Sequence, residues 1–74
     1  MAPVSSVVHS DPDILGGTPV FVGTRVPVHA LFDYLSAGDS LAEFLDHFPT
    51  VTHEQAVAVL GHAREAVTAD AGAA

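Results

Sequence analysis

Five histidines, nine carboxylates and two arginines carry whatever chemistry this chain of 74 residues can do. The histidines stand at positions 9, 29, 47, 53 and 62. A metal site asks for ligands at matched spacing, such as two His four residues apart on one helix face. No pair here has that spacing; His53 and His62 are separated by roughly two and a half helical turns. Surface and capping roles are expected for all five, with no metal and no other cofactor. With no Cys, thiolate catalysis, Cys-based zinc sites and disulfides are excluded, which suits a reducing compartment. Ser and Thr are present, but in no Ser-His-Asp order and on no nucleophile elbow. Asp11 and Asp13 flank a turn, where Asp is expected for its hydrogen bonding. Gly16-Gly17 and Gly23 make a poor phosphate cradle, because Gly23-Thr24-Arg25 leads into Val-Pro and not into the Gly-Lys-Ser/Thr of a P-loop. The chain is expected not to be an enzyme.

Charge narrows the choice of partner. Arg25 and Arg64 are the only Lys or Arg residues, and the formal net charge is −7. Nucleic-acid affinity comes mainly from Lys and Arg neutralising phosphates, and this chain cannot supply a patch of them. An acidic surface is steered toward basic partners; the same charge also keeps an apolar little domain soluble. Almost half of the residues are hydrophobic, yet no apolar run approaches the roughly 18 residues that a membrane span needs. Met1 to Ser6 has neither the basic nor the long apolar region of a signal peptide. A cytoplasmic location is expected.

The elements that position these residues follow from periodicity and punctuation. Val4–His9 is short and rich in β-branched residues, reads as a strand, and ends at the turn signal Ser10-Asp11-Pro12-Asp13. Pro19-Val20-Phe21-Val22 reads as a second strand, stopped by Gly23. Three helices are expected after Pro27, which suits a first helical turn. Val28, Leu31, Phe32 and Leu35 form the apolar stripe of the first, with Gly38 as its C-cap. The second opens on the capping box Ser40 to Glu43, buries Leu41, Phe44, Leu45 and Phe48, and stops at Pro49. The third opens on Thr52 to Gln55 and buries Ala56, Val59, Leu60, Ala63 and Val67. The expectation is a mainly α, trihelical, helix-turn-helix-like domain with an N-terminal β hairpin or ribbon. It spans 1–68, with the ribbon over about 4–23, helices over about 27–68 and a frayed tail over 69–74. A chain this short buries only about 60% of its unfolded surface, so a homodimer or a bound partner is expected to complete it.

Gly16 to Val28 is the most informative stretch, with three Gly, two Pro and the first cation. Such composition fixes a backbone path. Together with Asp11-Pro12, Ile14, Gly38, Phe48-Pro49 and Thr52, the pattern Gly16-Gly17, Pro19, Gly23-Thr24-Arg25 and Pro27-Val28 resembles the signature of a small bacterial family catalogued as domain of unknown function four-three-three. The resemblance covers about Val7 to Ala63. It implies a helix-turn-helix-like fold with an added β hairpin, often as a dimer. Its members are frequently encoded beside a PIN-like putative ribonuclease as candidate antitoxins. Thr18 and Val22 stand where many members carry basic residues.

The resemblance makes Gly16, Gly17, Pro19, Gly23, Thr24, Arg25 and Pro27 the motif residues, structural or partner-binding. Arg25 has two readings. It holds a phosphate or a partner carboxylate through its planar fork, or it braces the fold against an internal carboxylate or carbonyl, which is the preferred expectation. Arg25, Gln55, His62 and Arg64 are the candidate nucleic-acid contacts, although Glu54 and Glu65 on the same helix oppose phosphates. The leading functional expectation is an antitoxin-like module that docks on a PIN-like ribonuclease toxin and restrains it. The rival is a helix-turn-helix regulator of its own operon, binding DNA alone or in complex.

Overall fold

Phe44 sits at the centre of the molecule with no exposed surface. Its ring meets Phe48 at 5.0 Å, Tyr34 at 5.6 Å and Phe21 at 6.1 Å between centroids. Tyr34 also packs edge-on against Phe48 and lies against the His47 ring. Around this aromatic knot close Val7, Leu31, Val51, Ala56 and Val59. The computed structural model describes residues 4–73, with side chains as far as Ala69. The first three residues of the expected domain, and Ala74 of its expected tail, lie outside these. Among the described residues no polar or charged side chain is buried, so hydrophobic burial carries the fold.

The described chain is mainly α with an N-terminal hairpin. Strands β1 (Val8–His9) and β2 (Val20–Phe21) pair antiparallel, Val8 opposite Phe21 and His9 opposite Val20. Three helices follow: α1 (His29–Ser36), α2 (Leu41–His47) and α3 (His53–Ala73). The expected first strand is shorter than its composition suggested. Val4–Ser6 is a 3-10 turn closed by the Val7 N–H on the Val4 carbonyl. Ser5 and Ser6 favour such local turns over a ladder.

Helix boundaries follow the residues read as caps. The Ser40 hydroxyl accepts the Glu43 N–H at 3.1 Å, and the Thr52 hydroxyl accepts the Gln55 N–H at 3.1 Å. At the end of α1 the Gly38 N–H reaches the Leu35 carbonyl and the Asp39 N–H reaches Tyr34. This Schellman arrangement needs a left-handed residue, and Gly38 has φ +93°. Two expectations for α3 need correcting. The helix continues to Ala73, beyond the boundary expected near 68. Val67 is 68% exposed, because the rest of the domain is too short to cover the stripe that far along.

Gln55 does more than cap. Its side-chain oxygen accepts the Thr52 N–H at 3.0 Å, and its side-chain nitrogen donates to the Val22 carbonyl at 2.9 Å. One side chain thus ties the start of α3 to the turn that follows β2. Gln55→Ala is expected to cost about 1 kcal/mol, from the lost cap and the lost tertiary bond. Gln55→Glu keeps the capping oxygen but cannot donate to Val22. Chemical denaturation of the two variants separates the parts: if Glu is as stable as Gln, the Val22 bond contributes nothing.

A candidate partner-binding cleft

The turn that follows β2 and the segment after it fold on themselves with few spare groups. Phe21 to Thr24 is a turn closed by the Thr24 N–H on the Phe21 carbonyl at 3.0 Å. Its third residue, Gly23, has φ +79°, a value that a type II turn reserves for Gly. The Thr24 hydroxyl then works twice. It donates to the Phe21 carbonyl at 2.8 Å and accepts the Val26 N–H at 3.0 Å. The chain next runs back along β2. The Phe21 N–H donates to Val26, the Val28 N–H donates to Pro19, and Pro27 bridges to Val20. Pro27 precedes α1 and leads the chain into it, its carbonyl accepting the Ala30 N–H at 3.1 Å.

The motif residues therefore have identifiable structural work, with one exception. Gly16 and Gly17 complete a left-handed run that starts at Leu15, with φ values of +50°, +63° and +92°. The sequence offered no sign that Leu15, a non-glycine and half exposed, joins that run. Gly23, Thr24, Pro19 and Pro27 serve the turn and the β2 pairing. Arg25 does neither. It is exposed, and among the described residues it makes no hydrogen bond or ion pair through backbone or side chain. The expected internal brace is not found among the described residues: none of their carboxylates reaches the guanidinium, which lies exposed at the end of the turn.

Arg25 instead lies on an open cleft of about 600 Å³. Ile14, Val26, Pro27 and Phe48 line its apolar part, and His9 and Thr50 share its polar edge with Arg25. Neither the His9 ring nor the Thr50 hydroxyl has a partner among the described residues. The cleft draws on four distant stretches of chain: β1, the turn before Gly16, the segment 23–27 and the junction between α2 and α3. The sequence singled out Arg25 but not His9, Ile14, Phe48 or Thr50 as its neighbours. Phe48-Pro49 reads locally as a helix stop, and nothing in it announces a wall.

The other candidate contacts are dispersed. Gln55 is spent on its own cap and on Val22. His62 is half-buried and engaged, while Arg64 is exposed two residues beyond it. His29 contacts Asp33 at 2.9 Å, with both side chains largely exposed, a surface pair of little energetic weight. No three His, Asp or Glu side chains come together as a metal site among the described residues. Among them, no helix is long and apolar enough to cross a membrane.

The comparison with known families turns on the same segment. The family model described as "Protein of unknown function (DUF433)" matches residues 8–63. The chain belongs to the DUF433 family. The matched span holds the hairpin, the first two helices and the first half of α3, and hence every residue lining the cleft. A relative in Sinorhizobium fredii, "Uncharacterized protein y4eO", is 44% identical over 55 residues. These are 74% of this chain but only 25% of the relative, so the chain spans about a quarter of that protein's length. No solved structure matches the chain.

Proposed function

We propose that this DUF433 chain is a non-enzymatic, antitoxin-like protein-binding module, a homodimer that docks on a PIN-like ribonuclease in the cytoplasm and restrains it. The observation that carries the reading is the course of α3. The stripe that buries Ala56 and Val59 and half-buries Leu60 and Ala63 runs on to Val67, which is 68% exposed. Val57 is 46% exposed on the same helix. An apolar helical stripe that outruns its own core has surface to give to another chain. Glu54 and Glu65 lie exposed along that helix, and the net charge of −7 favours a basic partner. Kinship supports the nature of the partner, since relatives are frequently encoded beside PIN-like ribonucleases. The regulator reading has less support: Gln55 is occupied, and Arg64 is followed directly by Glu65.

The test is a titration of RNA cleavage by the product of the adjacent gene. Cleavage should fall in proportion to added protein and stop near equivalence, and light scattering of the protein alone should give a dimer. The isolated protein should bind upstream duplex weakly or not at all at physiological salt, since its two Arg release few counterions. Undiminished cleavage at a stoichiometric excess overturns the ribonuclease reading. Submicromolar, sequence-specific binding of that duplex by the protein alone replaces it with the regulator.

A further inference from the structure

We infer that the cleft beside the Gly23–Pro27 segment is a receptor for a carboxylate carried next to an apolar side chain, presented by a peptide segment of the protein partner. Arg25 takes the carboxylate, and Ile14, Val26, Pro27 and Phe48 take the apolar group. The chemistry of the cleft is specific in three respects. First, Arg25 is one of only two Lys or Arg residues in the chain and has no hydrogen-bond or ion-pair partner among the described residues. Its guanidinium offers a planar fork that matches a carboxylate through two parallel hydrogen bonds. Second, the polar edge supplies the His9 ring and the Thr50 hydroxyl, neither with a partner among the described residues. Third, the remaining wall is apolar, and a volume of about 600 Å³ accepts a side chain with its flanking backbone.

Charge excludes the obvious competitor. A polyanion such as nucleic acid brings many phosphates against a chain of net charge −7, and one Arg per cleft cannot offset that repulsion. A single carboxylate beside an apolar group meets one cation and one apolar wall, which is what the cleft presents. The acidic bulk of the chain and the exposed cation in this cleft then divide the labour. Long-range charge steers a basic partner, and the Arg25 pair fixes register.

The peptide nature of the ligand rests on the protein-binding reading above; the carboxylate pocket itself does not. The probes are N-acetyl-Gly-Phe with a free C-terminus, its C-terminal amide, N-acetyl-Asp-Phe-amide and inorganic phosphate. Each is titrated into the full chain and into Arg25→Gln, with amide and side-chain NMR shifts as the readout. The free acid, the aspartyl peptide or both should shift His9, Arg25, Val26, Phe48 and Thr50, and which of them does so identifies a chain terminus or a side chain as the source. Removing the carboxylate, as in N-acetyl-Gly-Phe-amide, or the guanidinium, as in Arg25→Gln, should weaken binding by about tenfold or more. Arg25→Gln should leave Tm essentially unchanged, because Arg25 has no partner among the described residues. Shifts from N-acetyl-Gly-Phe-amide equal to those from whichever carboxylate peptide binds, no shifts at these residues from either carboxylate peptide, or saturation by phosphate at the same concentrations overturn the proposal. If the peptide acids bind but the ribonuclease does not, the functional reading fails and the pocket stands. If the ribonuclease binds Arg25→Gln as tightly as the original chain, the functional reading stands and Arg25 contributes nothing to it.

Discussion

Phe44→Ala is expected to remove most of the stability of this domain, about 3–5 kcal/mol, from lost burial and the cavity left behind. Phe44 is fully buried, and its ring touches three other aromatic side chains. Phe21 comes from the hairpin, Tyr34 from α1 and Phe48 from the end of α2, so the deletion unfastens three elements at once. A domain of this length holds on the order of 4–11 kcal/mol in total. The expected fall in Tm is roughly 15 °C or more, enough to leave part of the population unfolded at growth temperature. Phe44→Leu keeps most of the volume and should cost far less, on the order of 1.5 kcal/mol. Thermal melts followed by circular dichroism check both. A Phe44→Ala domain within about 1 kcal/mol of the original would mean that the aromatic cluster is not the centre of the core.

The second large effect is expected at Thr24. Thr24→Val preserves shape and removes one hydroxyl, yet that hydroxyl satisfies the Phe21 carbonyl and the Val26 N–H together. The carbonyl keeps the Thr24 N–H, but the half-buried Val26 N–H is left without an acceptor. Leaving such a group unpaired costs about 1–3 kcal/mol, or a Tm lower by roughly 10 °C. Thr24→Ser restores the oxygen and should recover most of the loss. Because Thr24 also sets the direction in which residue 25 leaves the turn, the Val variant should blur the NMR signals of the cleft even below its melting range. An unchanged melt for Thr24→Val would show that the two bonds are replaced by water at no cost.

The contrast between Thr24 and Arg25 marks where sequence reasoning reached and where it stopped. Caps are local: Ser40 with Glu43 and Thr52 with Gln55 could be read because the partners lie three residues apart. Gly38 could be read for the same reason, since a helix end needs its left-handed residue next to the last turn. The second bond of Gln55 spans 33 residues, and nothing near Gln55 or Val22 signals it. Arg25 was misjudged as a brace for a related reason. Whether a lone cation is paired depends on where every carboxylate ends up, and that is decided by packing. The stripe on α3 was periodic through Val67, but periodicity reports an apolar face and not the length of what covers it. Leu15 was beyond reach for another reason, because with Gly16 and Gly17 beside it, local preference assigns positive φ to the glycines alone.

The same helix has a consequence for how the molecule would register an encounter. With 21 residues, α3 is about 31 Å long, while the side chains that face the core end near Ala63. Two stretches of very different protection thus share one hydrogen-bond ladder. The turns around Ala56 and Val59 open only when the domain opens, whereas those from Arg64 to Ala69, with every side chain exposed, hold their shape by continuity with the packed turns, since a short helix on its own is marginal in water. Amide exchange along α3 therefore reads as a gradient, slow at one end and quick at the other, with a step near Ala63. A chain that settles on the Val67 face moves that step toward the C-terminus without altering the core, so hydrogen exchange on one helix records both that contact was made and how far along it reached.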